Sequence, residues 1–229
     1  MKNLKLIIVL LLVLPLLSMA QTINQTDSNN LKQGKWGKTY ANGRINYEGQ
    51  FKNDKPYGEF KHYYISGVLK GITNYSSDGV VARTNTFHEN SMPMAEGKYI
   101  NQKKDSVWLF FSELDGKLIS EETYKKGELN GISKTFYPES GNVAESIKYK
   151  NGLKQGDIKK YFPEGSIMTE GFYKNNLLDG DFTLYFPEGN IQLKGKYLKG
   201  QQIGNWQYFD EEGNAISEDE FKEDRDFTE

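Results

Sequence analysis

The pentapeptide Tyr161-Phe162-Pro163-Glu164-Gly165 returns unchanged at Tyr185–Gly189, 24 residues on, and a near copy, FYPESG, occupies Phe136–Gly141. Proline presets φ at the first corner of a turn, and glycine accepts the positive φ at its end. Each copy therefore reads as a tight turn preceded by aromatic residues. Working outward, the aromatic residue eight positions past the turn glycine recurs along the whole chain: Phe51, Tyr75, Tyr99, Tyr124, Tyr149, Tyr173, Tyr197 and Phe221, at intervals of 24 or 25 residues. The turn position holds Gly43, Gly67, Gly116, Gly141, Gly165, Gly189 and Gly213, with Ser91 as the exception. A third column opens each unit at Gly34, Gly58, Ala82, Ser106, Gly131, Gly156, Gly180 and Gly204. Self-similarity at a fixed period of this length marks a repeat architecture.

Within each unit two strand-length runs are bounded by turn residues, so each unit is expected to be an antiparallel β-hairpin. The predicted fold class is all-β: an elongated array of about eight hairpins of 24–25 residues, built as a twisted single sheet or a solenoid. Each hairpin would touch only its neighbours. The chain divides into an apolar leader at 1–20, a polar segment at 21–33, the repeat array at 34–221 and an acidic tail at 222–229. Units two and three are the least regular, because Thr84 replaces an aromatic residue and Met92-Pro93-Met94 falls in a second strand. A distorted or longer connection is expected between Tyr75 and Tyr99.

Strand side chains alternate between faces. Gly49, Gly97, Gly171 and Gly195 precede their aromatic residue by two and share its face, leaving room for a neighbouring backbone or ring. Glu48, Glu96, Glu121, Glu170 and Glu218 point to the opposite face, as do Lys52, Lys125, Lys150, Lys174 and Lys222. These read as a solvated surface with cross-strand Glu–Lys pairs. In the first strands, Trp36, Phe60, Trp108, Ile158, Phe182 and Trp206 share one face. The row Tyr40, Tyr64, Tyr137, Phe162 and Phe186 lies four residues further on and is assigned by alternation to the same face, as either packing or a partner-binding stripe.

Units such as GDFTLYFPEGNIQLKGKYLKGQQI (Gly180–Ile203) and GDIKKYFPEGSIMTEGFYKNNLLD (Gly156–Asp179) resemble the MORN-repeat variant. The shared pattern is G-x-[WF]-x-x-[YF]-[YF]-x-x-G, then E-G-x-Y and K-N-G. Bacterial proteins built only of such units resemble antitoxin-like components of toxin–antitoxin systems. The resemblance implies an elongated twisted sheet used as a protein-interaction or membrane-associated scaffold.

Met1–Lys5 carries two lysines, Leu6–Leu17 is a twelve-residue apolar run, and Ser18-Met19-Ala20 supplies small residues before Gln21. This is the pattern of a secretory signal peptide, with cleavage expected after Ala20. The run is shorter than the roughly 20 residues of a spanning helix. There is no cysteine, so neither a disulfide nor a lipoprotein anchor is available. A periplasmic or extracellular location in a bacterial envelope follows as the expectation.

Net charge is −2, with acid concentrated in Asp210–Glu229, so neither face reads as a nucleic-acid footprint. The two histidines, His62 and His88, have no metal-ligating set around them, and His88 occupies a column otherwise held by Tyr and Phe. No catalytic constellation, phosphate-binding loop or cofactor motif is present in the sequence. The expectation is a non-catalytic exported scaffold binding another protein, with no cofactor. The alternative is a surface-ligand module that stacks glycans or lipid head groups on aromatic rows.

Overall fold

The computed structural model describes residues 23–226. The expected signal peptide and its cleavage point lie outside the described residues. In chain order the strands are β1 (Gln25–Thr26), β2 (Lys32–Thr39), β3 (Ile45–Lys52), β4 (Lys55–Tyr63), β5 (Leu69–Tyr75), β6 (Val81–Phe87), β7 (Pro93–Ile100), β8 (Lys103–Phe111), β9 (Leu118–Lys125) and β10 (Glu128–Leu129). They continue as β11 (Gly131–Phe136), β12 (Val143–Lys150), β13 (Leu153–Tyr161), β14 (Ile167–Lys174), β15 (Leu177–Leu178), β16 (Gly180–Tyr185), β17 (Ile191–Leu198), β18 (Gln201–Phe209) and β19 (Ala215–Ile216). A single helix, α1 (Glu218–Asp226), follows. The strands form one long, open antiparallel sheet in which each pairs with its sequence neighbours, except that the two-residue β10 and β15 pair only with β9 and β14, to which β11 and β16 also pair.

Two kinds of turn build it. At the FPEG corners the amide of Gly165 donates to the Phe162 carbonyl and that of Gly189 to Phe186, both at 2.9 Å. Gly165 takes φ +102° and Gly189 +95°, a region in which an L side chain is strained. At the opposite ends of the strands, links such as Asn175-Asn176 hold two successive positive φ values, 50° and 69°. This is the signature of a two-residue hairpin turn whose twist matches the sheet, and it explains the recurring K-N-G.

Units two and three are regular strands. The connection Ser76–Val80 is longer than the other links, as expected, with the Gly79 amide on the Ser76 carbonyl at 2.9 Å. The Met-Pro-Met segment does not interrupt its strand. Pro93 is the first residue of β7, opposite Phe87, where a missing donor does least harm.

One face, the ring face, is the core without a second layer. Each first-strand ring leans back over the glycine of the preceding unit. A β-carbon on Gly49 would lie 2.3 Å from the Phe60 ring, one on Gly97 2.3 Å from Trp108 and one on Gly195 2.3 Å from Trp206. Adjacent rings then meet edge to face: Phe51–Phe60 at 5.2 Å, Phe60–Tyr75 at 5.1 Å, Tyr99–Trp108 at 4.8 Å and Tyr197–Trp206 at 5.1 Å. Lying flat in this way, Trp108 is left only 2% exposed and Phe60 5%.

Where the glycine is absent, the ring is absent too. Thr73 opposes Thr84, their hydroxyls 2.9 Å apart, and Ile147 opposes Ile158. Glu122 precedes the unit whose ring position is Ser133, and the Ser133 hydroxyl is buried without a partner. There Lys104 covers the gap, its ammonium 4.6–4.8 Å from the centres of Trp108, Phe110 and Tyr124. Burial holds that ammonium's pKa below its usual value, against the raising effect of Glu122.

Both ends of the sheet are dressed. At the N-terminal edge β1 pairs with β2 through Gln25↔Gln33 and Thr26↔Lys32. The Asn24 amide donates to the Lys35 carbonyl, and the Asn24 side chain accepts from the Gly37 amide. At the C-terminal end the expected second strand of the last unit stops after Ile216. Phe221, read as the last strand aromatic, instead sits on α1, 8% exposed, with its ring 5.0 Å from Tyr208. The reason is local: Ser217 and Glu220 form a reciprocal capping box, with the Glu220 carboxylate accepting from the Ser217 amide and the Ser217 hydroxyl accepting from the Glu220 amide.

Candidate interaction surface

The face opposite the rings is polar. One row crosses the sheet residue by residue, each the cross-strand partner of the next: Glu48, Lys61, Ile72, Asn85, Glu96, Leu109, Glu121, Lys134, Ser146, Lys159, Glu170, Thr183, Lys194 and Gln207. The row carries four carboxylates and four ammoniums, interspersed with Ile72, Asn85, Leu109, Ser146 and Thr183. The Lys159 ammonium meets Glu170 at 2.7 Å and Lys134 meets Glu121 at 3.5 Å.

Of the expected glutamates, Glu48, Glu96, Glu121 and Glu170 are in this row and Glu218 is on α1; Glu48, Glu121 and Glu170 face Lys61, Lys134 and Lys159 of the first strands, and Glu96 faces Asn85 and Leu109. Lys52, Lys125, Lys150 and Lys174 are not among the recorded ion pairs. Residues four apart on a strand are two pleats distant, whereas four apart on a helix they adjoin. Lys222 does meet Glu218, at 2.7 Å, because both lie on α1.

Tyrosines anchor the row. The Tyr63 hydroxyl donates to Glu48 at 2.7 Å and that of Tyr185 to Glu170 at 3.0 Å. The carboxylate bond and burial push the Tyr63 phenol up to about 12. Burial and Glu170 raise that of Tyr185. The bonds from Lys159 and Tyr185 hold Glu170 below its ordinary value, with burial opposing them. Clefts open on this face at each end of the array. One of about 600 Å³ lies among Lys35, Glu48, Gln50, Glu59 and Lys61, and one of about 420 Å³ lies among Asp181, Thr183, Lys194, Lys196 and Gln207.

The row Tyr40, Tyr64, Tyr137, Phe162 and Phe186 is not an open stripe. All five are half-buried at hairpin corners. The Tyr40 hydroxyl donates to the Tyr63 carbonyl of the next hairpin at 2.8 Å, Tyr64 to Phe87 at 2.8 Å and Tyr137 to Tyr161 at 2.7 Å. His88 takes the same place, its Nε2 3.3 Å from the Phe111 carbonyl. Side chains beside the corners repeat the stitch: Asn90 donates to Glu113, Asn142 to Pro163 and Asn190 to Glu211, at 2.7–2.8 Å. A register shift just before each corner, as at Lys160/Tyr161 and Leu184/Tyr185, breaks the alternation on which the face assignment rested. The glycines expected at the corners all hold positive φ there.

A family profile described as MORN repeat variant matches residues 154–175 and 178–199, the hairpins β13–β14 and β16–β17 with their links. These two units match MORN repeats of the variant type. Such repeats commonly mediate protein or membrane interactions. In the first of these units Gly171 of E-G-x-Y is the seat of Phe182 and Glu170 lies in the polar row; in the second, Gly195 seats Trp206 and Lys194 takes the place of the glutamate. No curated protein matches the chain. Among solved structures, the crystal structure of TarM is similar over 42% of this chain and 20% of its own, at 18% identity and a TM-score of 0.30; that likeness carries no argument. Among the described MORN-repeat residues no group of three or more His, Cys, Asp or Glu is placed to hold a metal, and no helix is long and apolar enough to cross a membrane.

Proposed function

We propose that the chain is a non-catalytic MORN-repeat scaffold, exported by its N-terminal segment, that holds another protein along its polar face in a bacterial envelope. The observation that carries this reading is the contrast between the two faces. The rings are spent on one another and on stitching hairpins together. The opposite face offers a row in which carboxylates and ammoniums of both signs are interspersed with neutral side chains, with an open cleft toward each end. A surface of mixed charge favours register and partner choice over bulk affinity. Kinship with antitoxin-like MORN proteins belongs to the same proposal, as a binding role without chemistry.

The test is capture by purified 21–229 from an envelope fraction, beside liposome and glycan panels. A discrete protein partner is expected, with capture reduced at least tenfold by K134E/K159E/K194E under conditions where circular dichroism shows the sheet intact. Capture that ignores those reversals, or binding confined to liposomes or glycans, overturns the reading. The glycan or lipid alternative relied on exposed aromatic rows, and those rings are half-buried against neighbouring hairpins.

A further inference from the structure

The two ends of the sheet are treated differently. The N-terminal edge strand is covered by residues 24–26. At the other end β18 is paired on its outer side only by β19, through Tyr208↔Ile216 and Phe209↔Ala215. Residues 201–205 are exposed, and among the described residues no strand lies beyond Gln201–Gln207.

This stretch, Gln-Gln-Ile-Gly-Asn-Trp-Gln, has neither charge nor proline, the devices that usually keep an edge from pairing. Beside it is a notch of about 530 Å³ walled by Gln202, Gly204, Trp206, Ile216 and Glu218. The Trp206 indole N–H is buried there without a hydrogen-bond partner. The equivalent group of Trp108 donates to the Lys98 carbonyl at 3.1 Å.

The other units say what belongs in the notch. In all seven the opening residue faces an aromatic residue on an antiparallel strand: Gly34↔Phe51, Gly58↔Tyr75, Ala82↔Tyr99, Ser106↔Tyr124, Gly131↔Tyr149, Gly156↔Tyr173 and Gly180↔Tyr197. Gly204 keeps the receptive backbone, with φ +65° against +68° at Gly34 and +67° at Gly58. Its sequence counterpart Phe221 has been drawn away onto α1.

We infer that the outer edge of β18 is a docking site for one extended segment of another protein, added antiparallel as the missing strand with an aromatic residue facing Gly204. The inference rests on the scaffold reading and gives it a second surface. Main-chain bonds supply the affinity and the aromatic position the selectivity, as in strand addition generally. The strand Ile191–Leu198, which pairs with β16 in the preceding unit and sets Tyr197 opposite Gly180, is the natural probe. A second copy cannot dock head to tail, because its own β2 edge is already occupied.

The experiment titrates 21–229 with acetylated, amidated IQLKGKYL and follows amide hydrogen exchange. Slower exchange confined to Gly204–Gln207 is expected, with binding at least tenfold weaker for the peptide carrying Ser in place of Tyr and lost on N-methylation of its central lysines. Equal binding by the Tyr→Ser peptide, or no added protection at those amides, overturns the inference. So does a concentration-dependent dimer in which the same amides are protected without peptide. A captured protein partner that saturating IQLKGKYL does not displace also overturns it, while leaving the polar-face scaffold standing.

Discussion

A glycine in this sheet is a seat for a ring that arrives from the next unit. Gly97→Ala would place a methyl 2.3 Å from Trp108, and the ring cannot move without leaving its edge-to-face contact with Tyr99. A loss of about 1–3 kcal/mol is expected, the usual cost of overpacking, read as a lower urea midpoint. Gly171→Ile should destabilise more than Gly171→Ile with Phe182→Ile, because the double change reproduces the Ile147/Ile158 pairing; equal midpoints would refute that matching. Tyr63 gives a pH signature. Its phenol ionises near 10.0 in an unfolded chain and at about 12 when folded. The stabilisation is therefore complete below pH 10 and lost as pH rises toward 12. Several tyrosines ionise late, Tyr124 among them, and in an absorbance titration Tyr63→Phe should remove one of these late-ionising groups. The sequence disclosed that these glycines make room for a neighbouring ring. It did not disclose which ring, because Phe60 reaches Gly49 through cross-strand register, which alternation within one strand does not encode.

At the scale of the hairpin, the corners are stitched to each other. Tyr137→Phe removes one hydroxyl bond to the Tyr161 carbonyl and should cost about 1 kcal/mol, with faster amide exchange at the Phe162 corner and little change elsewhere. The buried Ser133 hydroxyl is the opposite case. Ser133→Ala removes a donor that finds no acceptor and is expected to leave stability unchanged or raise it by up to about 1 kcal/mol; a fall beyond that in thermal or urea unfolding would show that the hydroxyl is satisfied. The hairpins themselves were legible, since turn chemistry and aromatic spacing are local. The role of Tyr40, Tyr64 and Tyr137 was not, because the register shift before each corner ends the alternation from which a face could be deduced. The helix was hidden for another reason. AISEDEFK (Ala215–Lys222) has the strand spacing of INYEGQFK (Ile45–Lys52), yet the Ser217–Glu220 capping box outweighs it.

For the molecule as a whole, stability is a sum of neighbouring joints rather than the property of one core. The joint between Glu122 and Ser133 lacks an interlocking pair, and exchange by opening is expected there before the Trp108 or Trp206 joints. Phe221→Ser should loosen the last hairpin alone, seen as faster exchange in β18 with β2–β5 unaffected; a uniform loss would mean that the array unfolds as one block.

The matched seats and rings also dictate which units can stand next to which, much as the numbers on dominoes do. A unit begins with one half of a match and ends with another: Trp36 with Gly49, Phe182 with Gly195, but Ser133 with Ile147 and Ile158 with Gly171. Only the first and seventh units both begin with a ring and end with a seat for one, so only they can be laid against copies of themselves. In the eighth unit the seat position holds Asp219, on α1, which offers no seat. The order of the units is thus written into their edges, and lengthening this protein by duplication is open at two places and closed at the rest.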